Sequence, residues 1–344
     1  MSGPRILEIG DHFVFKATRP DSTNLLWTGA RPPRGLPPEL FRKCTPAAFA
    51  DAIRQARAGA YDLVVAYPPH RSAFDARNWL RLLQAGPRIF ATAWLGLLPP
   101  ELPLAVLDMG DDRTIGAHAF RLMDRATLWF KRELPVDRFG VLQGTAHPRL
   151  PTTRLRNSPR WRERLAKLRP IGLPDFTAPD PGTQVKRADL FFLGTVEGNS
   201  TERPRGLAEL RRLAQSGIVL DLPEQRLPHA EFLNRMTQAR MTWSPEGLGW
   251  MCYRHLEAAA CRSVPLSNYP TITRYAPLEH GIHAVFYSPE EGGLTRAVEF
   301  ALRDRDALAR MADAAHAHVI AHHTPAAIVA YVIEMTLAAA RRQP

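Results

Sequence analysis

Residues 243–268 read Trp-Ser-Pro-Glu-Gly-Leu-Gly-Trp-Met-Cys-Tyr-Arg-His-Leu-Glu-Ala-Ala-Ala-Cys-Arg-Ser-Val-Pro-Leu-Ser-Asn. A glycine-bearing loop leads into a short helix carrying an arginine and a glutamate, and an apolar strand follows. That order suits an anionic nucleotide. Amides at a helix start can face phosphate, and the helix dipole adds favourable potential there. Gly247 and Gly249 let the backbone come close to a ligand. Arg254 and Glu257 are three residues apart and share a helix face. An arginine grips two phosphate oxygens with its planar fork, and a carboxylate one turn further in accepts two ribose hydroxyls. The same spacing also fits an ordinary surface ion pair, a common and weak contact, so both readings stand at this point.

The elements that must position these residues alternate along the chain. In the first half, Arg5–Ile9 and Phe13–Lys16 read as short strands around a turn at Gly10-Asp11. Pro46–Ala58 is a helix with proline in its first turn, and Tyr61–Tyr67 is a buried strand. Phe74–Gln84 reads as a helix, Ile89–Trp94 and Leu104–Asp108 as strands, Ile115–Met123 as a helix and Thr127–Phe130 as a strand. The proline- and glycine-rich stretch Pro170–Lys186 carries little periodic signal and reads as a linker. The alternation then restarts. Leu190–Leu193, Val219–Leu222, Arg240–Ser244, Ser263–Ser267 and Ala284–Tyr287 are strands. Arg205–Gln215, Pro228–Gln238, Gly292–Arg303, Arg305–His322 and Pro325–Ala340 are helices. Strands spaced by helices argue for parallel, doubly wound sheets. The expected division is a first domain over 1–170, a linker over 171–187, a nucleotide-binding domain over 188–324, and a last helix, 325–344, packing back on the first domain.

At 344 residues, 45% of them apolar, the chain is long enough for two domains with real cores. Three scattered cysteines, Cys44, Cys252 and Cys261, give no disulfide framework and no cysteine-rich zinc site, so a reducing, cytoplasmic setting is expected. No secretory signal is visible at Met-Ser-Gly-Pro-Arg. The longest apolar stretch, Ile89–Leu107, is broken by Pro99, Pro100, Glu101 and Pro103, which does not suit a membrane span. The net charge of +11 is carried by 40 arginines and only five lysines, a bias that often reflects coding and says little about ligands. No long basic block interleaves with aromatics, and the densest run, Arg149–Arg169, reads as a solvated helix beside a loop. Nucleic acid is therefore not an expected partner. Peripheral contact with a membrane fits the charge, although no anchor is visible.

The two-domain arrangement resembles the GT-B glycosyltransferases, and the C-terminal part is similar to the exostosin-type and related family-one sugar transferases. The residues carrying the resemblance are Ser244-Pro245-Glu246-Gly247-Leu248-Gly249-Trp250, Tyr253-Arg254-His255-Leu256-Glu257-Ala258 and Val264-Pro265-Leu266. Trp129 to Pro135 and Phe191-Phe192-Leu193-Gly194-Thr195 also fit. The resemblance implies an α/β chain of two Rossmann-like, doubly wound domains facing a cleft. It also implies transfer of a sugar from a nucleotide-sugar donor to an acceptor hydroxyl on a glycan, a lipid-linked sugar or a small molecule. By this resemblance Glu257 serves the donor ribose and Arg254 its diphosphate. Gly194 and Thr195 lie near the phosphates, and Arg203 adds a second positive contact. Glu246, Gly247, Gly249, Trp250 and Tyr253 complete the expected donor set.

The chain departs from the family pattern in two places. Many relatives have glycine between the helix and the Val-Pro strand, where Arg262 and Ser263 stand here. Retaining members commonly separate two glutamates by seven residues, whereas ten separate Glu246 from Glu257, which favours inversion.

Inverting transfer needs a base for the acceptor hydroxyl, stabilisation of the leaving group, and in-line placement. No Asp-x-Asp metal motif stands in a convincing place, so no metal or other cofactor is expected. Asp108, Asp111 and Asp112, after the strand Leu104–Asp108, are the first candidates for the base. Their alternative is a capping turn ahead of a helix. His12, after Gly10-Asp11, is the second candidate. Lys131, Arg132 and Glu133 are either cleft residues or a solvated charge cluster. His316, His318, His322 and His323 read as structural histidines, because no third ligand accompanies the His318/His322 spacing. The alternatives to an enzyme are a non-catalytic nucleotide- or sugar-binding protein with the same fold and a basic nucleic-acid-binding protein.

Overall fold

The structure, a computed structural model, describes residues 3–68, 91–143, 158–179, 182, 184–198 and 200–342. Two compact units make up the chain: Met1–Pro174 with Ile328–Pro344, and Asp175–Ala327.

The first unit is built on a parallel sheet. Its strands are β1 (Ile6–Gly10), β2 (Thr23–Trp27), β3 (Arg42–Lys43), β4 (Leu63–Ala66), β5 (Leu104–Asp108), β6 (Leu128–Lys131) and β7 (Leu168–Pro170), in the order β3-β2-β1-β4-β5-β6-β7. The strands read as nearly unbroken apolar runs because both faces are covered. Leu7, Ile9, Val64, Ala66, Leu104, Val106 and Trp129 enter a core with Phe49 and Ile53 of the helix Pro46–Arg57. On the alternate pleat, Phe130 meets Tyr331 of the helix Pro325–Ala340, with ring centroids 5.6 Å apart. Tyr331 also donates its hydroxyl to Pro170 O at 3.1 Å.

The second unit holds β8 (Ala188–Phe191), β9 (Leu220–Asp221), β10 (Ala239–Trp243), β11 (Val264–Asn268) and β12 (Val285–Tyr287), ordered β12-β11-β10-β8-β9 and all parallel. The pleat sorts its side chains into two cores. Leu190, Phe192, Met241 and Trp243 pack with Leu210 and Leu294, whereas Phe191 and Ala239 pack with Met236 and Ala258. Helices therefore lie on both faces, which makes the unit doubly wound. Lys186 ties its lower edge by donating to the carbonyls of Thr237, Ala239 and Arg262 at 2.8, 2.9 and 2.6 Å.

In both sheets the strand order reverses about an early strand: between β1 and β4 in the first unit, and between β8 and β10 in the second. At such a switch point the loops leave in opposite directions and open a crevice at the carboxyl ends of the strands.

Several expectations change. Phe13–Lys16, expected as a strand, starts the helix Val14–Thr18. The reason lies in Glu8, whose buried carboxylate accepts the amides of Phe15 and Lys16 at 3.2 and 2.8 Å and so satisfies a helical first turn. The sheet instead takes Thr23–Trp27 as the neighbour of β1, a strand the sequence reading did not anticipate. Ala91–Trp94 is helical rather than the end of a strand, and β4 pairs directly with β5. The helix expected over Phe74–Gln84 lies outside the described residues, as do Ile89, Phe90 and the arginine run as far as Asn157. Among the described residues no single helix is long and apolar enough to cross a membrane.

Candidate functional site

The second unit gathers the expected donor residues at its switch point. The loop after β8 carries Gly194 and Thr195, and the loop after β10 carries Glu246 to Cys252 and leads into the helix Tyr253–Ala260. Arg254, on the first turn of that helix, lies with its guanidinium 5.2 Å from the Phe192 ring centroid. A Cβ on Gly194 would run into Arg254 Nη2, so glycine is what lets the arginine lie along this loop. Among the described residues, the buried Nε and Nη1 of Arg254 have no hydrogen-bond partner. Buried N–H donors left this way are costly unless an acceptor arrives.

Arg203, in the first turn of the helix Glu202–Leu213, is held differently. Its Nε donates to Glu246 O at 3.0 Å and its Nη1 to Thr195 O at 2.7 Å, so it clasps the two loops together. A Cβ on Gly247 would stand 2.7 Å from its Nη2. Burial, and then the neighbouring Arg254, pull its pKa below the ordinary arginine value. The clasp rests on a buried chain beneath it. Trp243 Nε1 donates to Tyr287 OH at 2.9 Å, and Tyr287 OH donates to Glu202 Oε1 at 2.8 Å. Glu202 thereby fixes the start of the helix from which Arg203 projects.

Glu257 lies one turn along from Arg254, half-buried, with no ion pair between the two within 4.0 Å among the described contacts. The surface-ion-pair reading therefore fails. Burial raises the Glu257 pKa, and His229 and Arg254 draw it the other way. His229 opens the helix His229–Thr237 and was given no part by the sequence reading.

Cys252 caps the Arg254 helix. Its backbone N–H donates to His255 Nδ1 at 3.2 Å, and its Sγ lies 3.5 Å from the same nitrogen. Burial alone would push the thiol up, but the charge and hydrogen bond of His255, with Arg254, bring it down to about 6. His255 is fixed in turn, Nε2 to Ser267 Oγ at 3.1 Å, and stacks on Trp250 at 4.5 Å.

The remaining expected donor residues divide. Glu246 belongs to the loop frame: its N–H donates to Asn268 Oδ1 at 3.0 Å. Gly247 N–H donates to Gly249 O at 2.9 Å, which closes a tight turn. Trp250 leaves the donor set. It is 3% exposed, donates to Asn268 O at 3.1 Å and packs on Phe286, so it backs the loop from the core side. Tyr253 stands at the exposed start of the helix with its hydroxyl on Asp175 Oδ1 at 2.6 Å.

The switch point of the first unit opens a pocket, a cavity of about 270 Å3 lined by Asp11, His12, Tyr67, Asp108, Asp112, His118 and Trp129 among others. The three candidate aspartates fare differently in it. The sheet register sets Asp108 opposite Lys131. Asp108 accordingly accepts from Lys131 Nζ at 3.0 Å, Trp129 Nε1 at 3.3 Å and Gly110 N–H at 3.3 Å. Asp111 is engaged by Arg132. Asp112 lines the cavity. Lys131 and Glu133 are fully buried, so this segment is neither a solvated cluster nor an open wall.

His12 has the geometry of a positioned imidazole. Its Nδ1 lies 3.2 Å from Asp11 Oδ1, and its ring stacks on Tyr67 at 4.9 Å with 20° between planes. A proton on Nδ1 facing Asp11 leaves Nε2 as the acceptor. Tyr67 donates to Glu8 Oε1 at 2.8 Å, and burial raises Glu8 to about 7 despite the bonds from Lys16, Tyr67 and Phe15. The adjacency Asp11-His12 directly after an apolar strand was the readable signal for this pair. The C-terminal histidines turn inward to carbonyls: His316 to Ala260 O, His318 and His323 to Ala276 O. Among the described residues no group of three His, Cys, Asp or Glu side chains is arranged to hold a metal ion.

Residues 213–334 match the family model described as glycosyl transferase-like. That span contains the loop after β10, Arg254 and Glu257, and stops short of Gly194 and Arg203. No curated protein matches the sequence. Among solved structures, a glycosyltransferase from Rickettsia africae ESF-5 is similar over 100% of both chains, with 10% identity and a TM-score of 0.56. HepE of Anabaena, solved with UDP, is similar over 96% of this chain and 99% of that one, with 14% identity and a TM-score of 0.53. Sucrose-phosphate synthase from Thermosynechococcus elongatus is similar over 96% and 98%, with 10% identity and a TM-score of 0.51. At these identities the likeness is one of fold: two Rossmann-like domains of the GT-B kind.

Proposed function

We infer that the chain, a GT-B glycosyltransferase by its fold and by the domain in residues 213–334, moves a sugar from a nucleoside diphosphate-sugar to an acceptor hydroxyl. The observation that carries the donor is half-buried Arg254, whose buried Nε and Nη1 have no hydrogen-bond partner among the described residues, set beside a second arginine at the switch point of a parallel sheet. A diphosphate supplies the acceptors those nitrogens lack and offsets the mutual repulsion of Arg254 and Arg203. Glu257 then takes the ribose hydroxyls. Crystals of HepE hold UDP-glucose, which supports a uridine donor as the first to try here.

The steps assigned to this chain's own residues are few. His12, oriented by Asp11, takes the acceptor proton at Nε2 as the hydroxyl attacks the anomeric carbon. Arg254 and Arg203 stabilise the charge that grows on the departing diphosphate. The helix start at Tyr253 adds its dipole. Attack from the face opposite the leaving group inverts the anomeric centre, and the two arginines fill the place a divalent ion would take.

The test is thermal stabilisation by UDP in the presence of a chelator. Wild type gains several degrees, consistent with about 2–3 kcal/mol at a hundredfold excess over Kd, and Arg254→Ala loses nearly all of it. An equal gain in the variant sinks the donor assignment. Proton NMR of the first product fixes the anomeric outcome, and a retained configuration sinks inversion.

A further inference from the structure

Beside β12, the edge strand of the second sheet, runs a cleft of about 500 Å3 that shares no lining residue with the donor set. Its size falls within the range of small-molecule sites, roughly 300–1,000 Å3. We propose that this cleft is a carbohydrate-binding subsite, separate from the reaction site, that holds a neutral saccharide by ring stacking and hydroxyl hydrogen bonds.

Among the described residues four tyrosine or phenylalanine side chains are exposed, and two of them border this cleft: Tyr269 at 50% exposure and Phe300 at 72%. They come from different elements, Tyr269 from the turn after β11 and Phe300 from the helix Gly293–Leu302. A single exposed ring is ordinary, whereas two on one cleft make an apolar surface that favours a ligand over water. The rings of His280 and Phe286 back Tyr269, with centroids 6.0 and 6.1 Å from it. A pyranose has an apolar C–H face and a rim of hydroxyls, so it covers such rings and keeps its own hydrogen bonds.

The polar groups of the cleft select among ligand classes. Glu290 and Arg296 neutralise each other at 2.6 Å. Glu299 and Arg303, four residues apart, make no side-chain hydrogen bond or ion pair among the described residues. Two acids and two arginines leave the lining with no net charge. His280 Nδ1 accepts the Phe286 N–H at 2.9 Å, so the neutral imidazole carries its proton on Nε2, as a donor. An anion calls for donors and a cation for acceptors. A hydroxyl is both at once, which is what a lining of mixed donors and acceptors matches.

The same His280 contact turns away a peptide added as a strand. Tyr287 O points inward to the Tyr269 N–H at 3.0 Å, so the neighbouring Phe286 presents the outward N–H of β12. His280 already occupies that donor, and an added strand would find it spent.

The experiment applies saturation-transfer NMR and calorimetry to the full chain. The probes are neutral tetrasaccharides of glucose, galactose, mannose and N-acetylglucosamine, with tetragalacturonate and a tetramer of glucosamine as charged counterparts. At least one neutral chain is expected to bind, and to bind more tightly than either charged one. Tyr269→Ala and Phe300→Ala should each weaken it by about three- to tenfold and leave the UDP-induced thermal shift unchanged. Both rings are exposed, so their truncation spares the core. The proposal is overturned if no neutral chain binds, if a charged chain binds as well, or if the double variant binds like wild type. A wild type that binds the neutral chain but gains nothing from UDP would keep the subsite and end the donor reading alone.

Discussion

The two units place their polar groups at equivalent points of two parallel sheets, and they do opposite things with charge. At the second switch point, Arg203 hangs on backbone carbonyls and Arg254 has two buried nitrogens without a hydrogen-bond partner among the described residues, so two guanidinium groups stand there without a salt bridge. At the first, the acids are matched internally, Asp108 by Lys131 and Asp111 by Arg132, and a histidine is steered by Asp11. In the proposed reaction, one arrangement receives an anion and the other prepares a proton transfer. The strand order supplies the crevice in both cases, and the side chains alone decide what each crevice is for.

This contrast can be broken by variants that should touch one side only. The largest effect is expected from His12→Ala, which should lower kcat by about 10²–10⁴-fold while leaving the UDP-induced thermal shift in place. A loss of UDP binding in that variant would dissolve the division of labour. Arg254→Ala should do the reverse first, weakening UDP by about 100-fold, or ~3 kcal/mol for lost charge-assisted bonds, as read by calorimetry.

A smaller effect concerns Glu8, whose pKa is raised by burial to about 7. Below the unfolded-state value, 4.5, the proton is bound in both states. As the pH climbs from there to 7, the unfolded chain releases its proton and the folded chain keeps it, so stability falls by up to about 3 kcal/mol. Urea unfolding at pH 5 and pH 8 should show that loss in wild type and a flatter response in Glu8→Gln. A slope unchanged by the substitution would detach Glu8 from the pH response.

The smallest effect is at Arg262, which holds φ at 51° just after the Arg254 helix. A left-handed residue other than glycine costs about 1 kcal/mol. Arg262→Gly should therefore be more stable than Arg262→Ala by roughly that amount in paired denaturant melts. The exposed contact of Arg262 with Asp313 is lost in both variants and cancels.

Much of this organisation was legible in the chain itself. Parallel sheets were readable because strands buried on both faces must be apolar along their whole length. The Arg254–Glu257 helix was readable because its spacing puts both groups on one face. What escaped notice depended on contacts distant in sequence. Phe13–Lys16 has the composition of a strand, but Glu8 captures its amides, and no local pattern announces such a capture. Trp250 sits beside two glycines in a loop that invites a ligand, yet Asn268 and Phe286, from the strands that follow, draw it into the core. Asp108 stood with Asp111 and Asp112 among the first candidates for the base, and the register of β5 on β6 places Lys131 against it. The turn at Arg262, where glycine was expected, keeps the glycine backbone shape with the wrong residue for it.

Arg203 carries a constraint on how this chain can change over generations. In the proposed reaction the same guanidinium that meets the donor diphosphate also fastens the loops after β8 and β10. Drift at this position cannot soften the grip without also slackening the walls. Nor can it reinforce the walls by adding a carboxylate partner without dulling the attraction. Adjustment of donor preference is thereby pushed outward, to positions such as His229, which lies near Glu257 but fastens neither loop.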